Sequence, residues 1–245
     1  MLRLLAKILT AIYLLSATHF AISAEVAVEL SGHTTPTTVK ASYKVYKAGL
    51  LIGMIEEQFS RDGDNYKIVS TTETVGPLRL FLHDKLTVTS EGTIIAAGLK
   101  PNSYQFTRRD GQKKNISAEF NWAKHQIVSH HNDENEVFDL PAGTQDRLSA
   151  MYQFIFSIPR TSEVSLWMSQ GKKAEQYRYL KLGEPVLALN NEPIPTVYYA
   201  RDAKQGESKV HLWLAKGKHY LPVKIVFEDA NGGSLEQVLV ALYTE

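Results

Sequence analysis

From Val39 onward, apolar and polar residues alternate along most of the chain. The alternation is regular over residues 41–45, 116–120, 210–214 and 223–227. A period of two is typical of β-strands with one buried face. Residues that favour turns separate the alternating runs at Asp62-Gly63, Glu91-Gly92, Asp110-Gly111, Lys216-Gly217 and Asn231-Gly232-Gly233. The pattern predicts an all-β-dominated fold of about a dozen strands, arranged as an antiparallel open β-barrel or a curved sandwich.

One stretch, residues 144–158, has a helical period instead. The apolar residues at positions i, i+3, i+4 and i+7 are Leu148, Met151, Tyr152 and Ile155. Thr144 is expected to cap the helix, Asp146 to lie in its first turn, and Pro159 to prevent its continuation. We therefore expect one central amphipathic helix near 144–158, covered by the sheet on most sides.

The first 24 residues have the order of a secretory signal peptide. Arg3 and Lys7 precede an apolar run over 8–17, and the small residues Ser23-Ala24 precede Glu25. This run is shorter than the roughly 20 residues that a bilayer-spanning helix needs, so cleavage is favoured over an uncleaved anchor. The sequence predicts a signal peptide over 1–24, a flexible leader over 25–38 and a single β-rich domain over 39–245. We expect a soluble periplasmic protein.

Composition excludes several classes of function. The chain has 27 basic and 26 acidic residues, and a formal net charge of +1. Such a balance gives no positive field for nucleic acid. The chain has no cysteine, so a disulfide, a thiolate metal site and an N-terminal lipid anchor are all excluded. Contact with a membrane is expected to be peripheral at most.

Metal and catalytic motifs are weak. His125, His130, His131, Asp133 and Glu134 form a cluster of possible metal ligands, but their spacing fixes no site. We interpret them as residues of a solvated loop, and the local acidic pair Glu56-Glu57 as solvated charge. No nucleophile elbow occurs, although catalytic groups can converge from distant strands. The sequence predicts no metal and no cofactor, and an enzyme is the less favoured reading.

Two segments are candidates for binding an apolar or amphipathic ligand. Asp146 and Arg147 could hold a polar head group at the start of the helix, with Met151, Tyr152 and Ile155 on its apolar face. The alternative for Asp146 and Arg147 is a structural role, with Asp146 as a capping carboxylate and Arg147 in an ion pair to the sheet. The second segment is the apolar connection over 76–82, whose candidate residues are Leu78, Leu80 and Phe81. This connection is either a strand entry or a loop over the mouth of a cavity.

Several motifs together resemble a known family. They are the run from Tyr43 to Gly53, then Ser90-Glu91-Gly92, Leu99-Lys100-Pro101 with Tyr104, Asp146 to Tyr152, Leu212 to Ala215, and Tyr220 to Ile225 with Glu236-Gln237. In order and spacing they resemble the bacterial exported proteins grouped as domain of unknown function 3108, over roughly residues 41–242. The family has no assigned activity. A looser likeness, at the level of fold alone, is to periplasmic lipoprotein carriers, in which an open barrel encloses an apolar cavity.

These observations leave three hypotheses. The first is a non-enzymatic envelope protein that binds a lipid-like ligand. The second is an envelope hydrolase whose site is assembled from distant strands. The third is an envelope scaffold that pairs with a partner protein through an exposed sheet edge.

Overall fold

The computed structural model describes residues 35–76, 85–109, 115–131, 134–157 and 161–245. Within these ranges the chain forms sixteen strands and one helix. The strands are β1 (Thr38–Lys47), β2 (Leu50–Asp62), β3 (Asn65–Thr74), β4 (Lys85–Ile95), β5 (Gly98–Arg108), β6 (Ile116–Asn121), β7 (Gln126–His131), β8 (Glu134–Asp139), β9 (Gln145–Asp146), β10 (Glu163–Ser169), β11 (Glu175–Gly183), β12 (Val186–Leu189), β13 (Glu192–Arg201), β14 (Lys209–Ala215), β15 (Pro222–Glu228) and β16 (Ser234–Thr244). The helix is α1 (Arg147–Phe156).

All sixteen strands belong to one open sheet. Strands β1 to β8 follow one another as an antiparallel meander, which we call the first arm. Strands β9 to β16 form the second arm, in which β12 pairs only with β13 and the short β9 runs parallel to β10. The arms join where β1 pairs with β16, from Val39 opposite Thr244 to Lys47 opposite Leu235. We call this pairing the seam. The prediction of an open antiparallel β-structure is confirmed, with more strands than expected.

The alternation in the sequence decides which side chains fill the interior. On β1, Val39, Ala41 and Tyr43 are buried, and on β14 so are Leu212 and Leu214. Their neighbours on the opposite face are more exposed, except for Ala215, which is also buried, and this pattern is expected for strands with one buried face. One predicted turn is wrong, because Glu91-Gly92 lies inside β4 at a register shift. A β-bulge of this kind adds one residue to a strand and bends it.

Helix α1 packs on the buried face of the sheet and contacts both arms. It touches β3, β4 and β5 of the first arm and β9 and β10 of the second. Leu148, Tyr152 and Ile155 belong to an apolar cluster built largely from the first arm, whereas Phe154 belongs to a cluster of the second. Met151 is partly buried against both clusters. The predicted central helix is therefore the element that fills the space between the arms.

The helix starts later than the sequence suggested. Asp146, not Thr144, is the N-cap residue, and residues 145–146 form the short strand β9. The Thr144 hydroxyl instead donates to the backbone oxygen of Pro141 at 2.7 Å. At the other end, Ser157 is the C-cap. Residue 158 and Pro159 lie outside the described residues, as do the predicted signal peptide, most of the predicted leader and residues 77–82 of the apolar connection.

Candidate functional site

A cleft of about 380 Å³ opens where the two arms approach each other next to the start of α1. Its first-arm wall comes from β5 and β6, and its second-arm wall from β10, β11 and the turn between them. We call it the inter-arm cleft. The uncharged lining residues are Tyr104, Phe106, Ile116, Met168, Gln170 and Tyr177, and the charged ones are Arg147, Lys172, Lys173 and Glu175.

The aromatic wall follows from strand alternation on β5. Tyr104 and Phe106 are two residues apart and so point to the same face of the sheet. Tyr104 is only 2% exposed and belongs to the apolar core, and Phe106 packs against that core. Burial raises the pKa of the Tyr104 hydroxyl to about 12. This hydroxyl therefore stays protonated at neutral pH and can donate a hydrogen bond.

The β10–β11 turn is held tightly against the first arm. Gly171 has a φ of +84° and leaves no room for a side chain, since an added Cβ would lie 2.6 Å from Cγ2 of Ile116. The Ser169 hydroxyl accepts a hydrogen bond from the Gly171 amide at 3.1 Å and donates to the Lys172 carbonyl at 2.5 Å. Glycine is the residue that tolerates this backbone conformation at low cost. The turn therefore fixes the backbone of Lys172 and Lys173 at the cleft.

Below the cleft, Asp146 fastens the start of α1 to the sheet. It is 0% exposed. Its carboxylate accepts hydrogen bonds from the amides of Leu148 and Ser149, at 2.8 and 2.9 Å, and from the Ser90 hydroxyl of β4 at 2.5 Å. The Ser149 hydroxyl completes a capping box by accepting from the Asp146 amide at 2.8 Å. Burial raises the pKa of Asp146, although these hydrogen bonds act in the opposite direction.

A second carboxylate, Glu57 on β2, lies against the middle of the helix. It accepts hydrogen bonds from the hydroxyls of Ser70, at 3.1 Å, and Tyr152, at 3.3 Å. Burial is the largest influence on the pKa of Glu57 and raises it, while these hydrogen bonds and the charge of Arg147 act to lower it. Glu57 is therefore not the solvated charge that the sequence suggested; only its neighbour Glu56 is exposed.

The sequence candidates separate into three groups. Arg147 lines the inter-arm cleft. Asp146, Tyr152 and Ile155 are buried in the contact between helix and sheet, and Met151 is partly buried there. Leu78, Leu80 and Phe81 lie outside the described residues. The cleft residues missed by the sequence reasoning are Tyr104, Phe106, Ile116, Met168, Gln170, Lys172, Lys173, Glu175 and Tyr177.

The histidine cluster does not form a site in the described part of the chain. His125 lies in a turn with φ +54°, while His130 and His131 lie on β7, not in a loop. The His130 ring nitrogen Nδ1 lies 2.5 Å from Oδ1 of Asn135, and Nδ1 of His131 lies 2.9 Å from the carbonyl of Asn115. Asp133 lies outside the described residues, and within them no group of three potential ligands is close enough to hold a metal ion.

The fold defines the class of protein: a β-barrel-like protein built from one open sheet with a helix in its interior. A solved structure of the same kind is the crystal structure of a beta-barrel-like protein of domain of unknown function DUF1849 from Brucella abortus. The two share 13% sequence identity with a TM-score of 0.53, over 86% of this chain and 98% of that chain, which shows a common fold.

Residues 42–240 match the family model described as protein of unknown function (DUF3108). The chain belongs to this family, which confirms the resemblance of its motifs. No curated protein sequence matches the chain. In the part of the chain that the structure describes, no helix has the length and apolar character needed to cross a bilayer.

Proposed function

We propose that the protein is an exported, periplasmic cell-envelope protein that binds an amphipathic, lipid-like ligand in the inter-arm cleft without transforming it. The observation that carries the proposal is the mixed lining of this cleft. Phe106, Ile116 and Met168 offer an apolar surface, while Lys172 and Lys173 lie beside it. Ligand sites in proteins combine apolar walls with a few polar groups that fix orientation.

The size of the cleft limits what it can hold. A volume of about 380 Å³ is near the lower end of the range for small-molecule sites, roughly 300–1,000 Å³. The head group and the adjoining part of one hydrocarbon chain would fit such a space. Since the helix face with Leu148, Tyr152 and Ile155 is already packed against the sheet, the ligand is proposed to bind beside the helix.

The arrangement of carboxylates favours binding over hydrolysis. A hydrolase needs at least two titratable groups that converge on a point that substrate can reach. Asp146 and Glu57 are instead hydrogen-bonded between helix and sheet. The carboxylate that lines the cleft, Glu175, accepts a hydrogen bond from the Tyr177 hydroxyl at 3.2 Å.

Binding of a fluorescent fatty acid to the delipidated protein tests the proposal. We expect saturable binding that Met168→Gln weakens about fivefold or more, because the substitution removes apolar contact area at nearly constant size. Met168 lines the cleft but belongs to none of the three apolar clusters. Val137→Gln is the matched control, since Val137 is 58% exposed on β8, away from the cleft.

A wild-type protein without saturable binding would contradict the proposal. So would a Met168→Gln variant that binds the probe as tightly as the Val137→Gln control. Thermal melts of both variants separate loss of the cleft contact from loss of folded protein.

A further inference from the structure

We propose that the inter-arm cleft selects an amphiphile with an anionic head group, a carboxylate or phosphate held by Arg147, Lys172 and Lys173. The inference rests on the proposed function and adds to it the chemistry of the ligand's polar end. It follows from the charge of the lining, the ordered backbone that carries the cationic residues, and a tyrosine hydroxyl of the lining that makes no hydrogen bond with any residue that the structure describes.

The charge of the lining is unbalanced. Three cationic residues line the cleft against one carboxylate, Glu175. This excess is local, because the 27 basic and 26 acidic residues of the whole chain nearly cancel. A concentration of one charge sign in a cleft with apolar walls raises the local concentration of oppositely charged ligands.

The cations of the cleft also lack the partners found elsewhere on the surface. Lys67 pairs with Glu91, Lys85 with Glu73, and Lys224 with Glu236. Arg147, Lys172 and Lys173 form no side-chain ion pair with any residue that the structure describes, although Arg147 is close enough to Glu57 to act on the pKa of that carboxyl. Their donors are free to bind a ligand, and a guanidinium group can hold a carboxylate or phosphate through two parallel hydrogen bonds.

Both sources of positive charge are held by ordered backbone. Arg147 is the first residue of α1 and directly follows Asp146, whose capping box fixes the start of the helix. Lys172 and Lys173 lie on the turn fixed by Ser169 and Gly171. A site whose backbone is already ordered loses less conformational entropy when a ligand binds.

Tyr104 adds a neutral donor. The residue as a whole is only 2% exposed, it lines the cleft, and its hydroxyl makes no hydrogen bond with any residue that the structure describes. An oxyanion in the cleft would supply the missing acceptor, and Arg147 is close enough to lower the pKa of this hydroxyl.

The test compares two fluorescent probes with the same hydrocarbon chain, a fatty acid and the corresponding fatty alcohol. We expect the acid to bind about tenfold more tightly or better than the alcohol, because a single charge-assisted hydrogen bond corresponds to a difference in affinity of about this size. Arg147→Gln should remove most of this preference, and the double variant Lys172→Gln/Lys173→Gln should reduce it. Lys124→Gln is the matched control, because Lys124 is an exposed cation in the β6–β7 turn outside the cleft. Added salt should weaken binding of the acid more than binding of the alcohol.

The outcomes separate the inference from the proposed function. Equal affinity for acid and alcohol would overturn the anionic head group and leave the lipid-binding function standing. Saturable binding of neither probe would overturn both. Inorganic phosphate and acetate are compared with long-chain competitors: displacement of the fatty acid by these free anions at the same concentrations would show a site for free anions and overturn the proposal that the ligand is an amphiphile. A preference for the acid that survives Arg147→Gln and the double lysine variant would place the head group elsewhere and refute the site.

Discussion

Replacing Asp146 with alanine tests whether one buried carboxylate fastens the helix to the sheet. Alanine removes the acceptor for the Leu148 and Ser149 amides and for the Ser90 hydroxyl. Loss of an N-cap costs about 0.5–2 kcal/mol, and a hydrogen bond to a charged group is worth about 1.5–3 kcal/mol. Relief of the buried charge offsets part of this, because burial raises the pKa of Asp146. We expect a loss of about 2–4 kcal/mol in the free energy of unfolding.

Asp146→Asn is the matched variant. Its amide oxygen can still accept from the two backbone amides, and its amide nitrogen can donate to the Ser90 hydroxyl, which also lies 3.1 Å from the Tyr66 hydroxyl. Since asparagine caps helices about as well as aspartate, the expected loss is only about 0.5–1 kcal/mol.

Urea denaturation followed by tryptophan fluorescence measures both variants, with unchanged m-values required for the comparison. A loss below about 0.5 kcal/mol for Asp146→Ala, the range of ordinary surface substitutions, would refute the reasoning. Equal losses for alanine and asparagine would show that the hydrogen bonds are not the source of the stability.

Three further predictions concern the core, the pH dependence and export. Ile155→Ala should cost about 2–5 kcal/mol in the same denaturation assay, because Ile155 is buried in the contact with the first arm; a loss no larger than that of the exposed control Gln105→Ala would contradict this. Burial raises the pKa of Glu57 in the folded protein. The stability that protonated Glu57 contributes is therefore complete below the unfolded-state pKa of 4.5, and it is lost as the pH rises through the folded-state pKa. The melting temperature of Glu57→Gln should therefore increase relative to wild type between pH 5 and pH 8, whereas parallel curves would exclude the effect. The intact mass of the exported protein should match a chain that begins at Glu25, and a membrane-retained species that keeps residues 1–24 would show an uncleaved anchor.

The strands and the helix could be predicted from the sequence because their signals are local. Alternation over two residues depends only on which face of a strand is buried, so Val39, Ala41 and Tyr43 reveal their own environment. The position of the helix was also clear from its apolar spacing, but its start was not. Thr144 and Asp146 are both residue types favoured at an N-cap, and an interaction that favours Asp146 comes from Ser90, 56 residues away.

The candidate site depends on contacts that no local pattern contains. Lys172 and Lys173 look like ordinary turn residues until the turn is placed against Ile116 and Tyr104. Glu57 offered a weak signal, since it shares the buried face of β2 with Ile55 and Phe59, but pairs of acidic residues are usually solvated. Gly92 suggested a turn, whereas its role is to let β4 pass close to β5, where an added Cβ would lie 2.2 Å from the Lys100 carbonyl.

The seam between β1 and β16 has a consequence for how the chain folds. It joins residues as distant in the sequence as Val39 and Thr244, while the other neighbouring strands of the first arm are linked by consecutive hairpins. Local hairpins close quickly, and pairings between distant segments are slow because a long loop must first be closed. Each arm can therefore begin to form as soon as its own residues are available. The seam must wait until β16 is present, which leaves the edge of β1 exposed to wrong partners for as long as synthesis of the chain is incomplete.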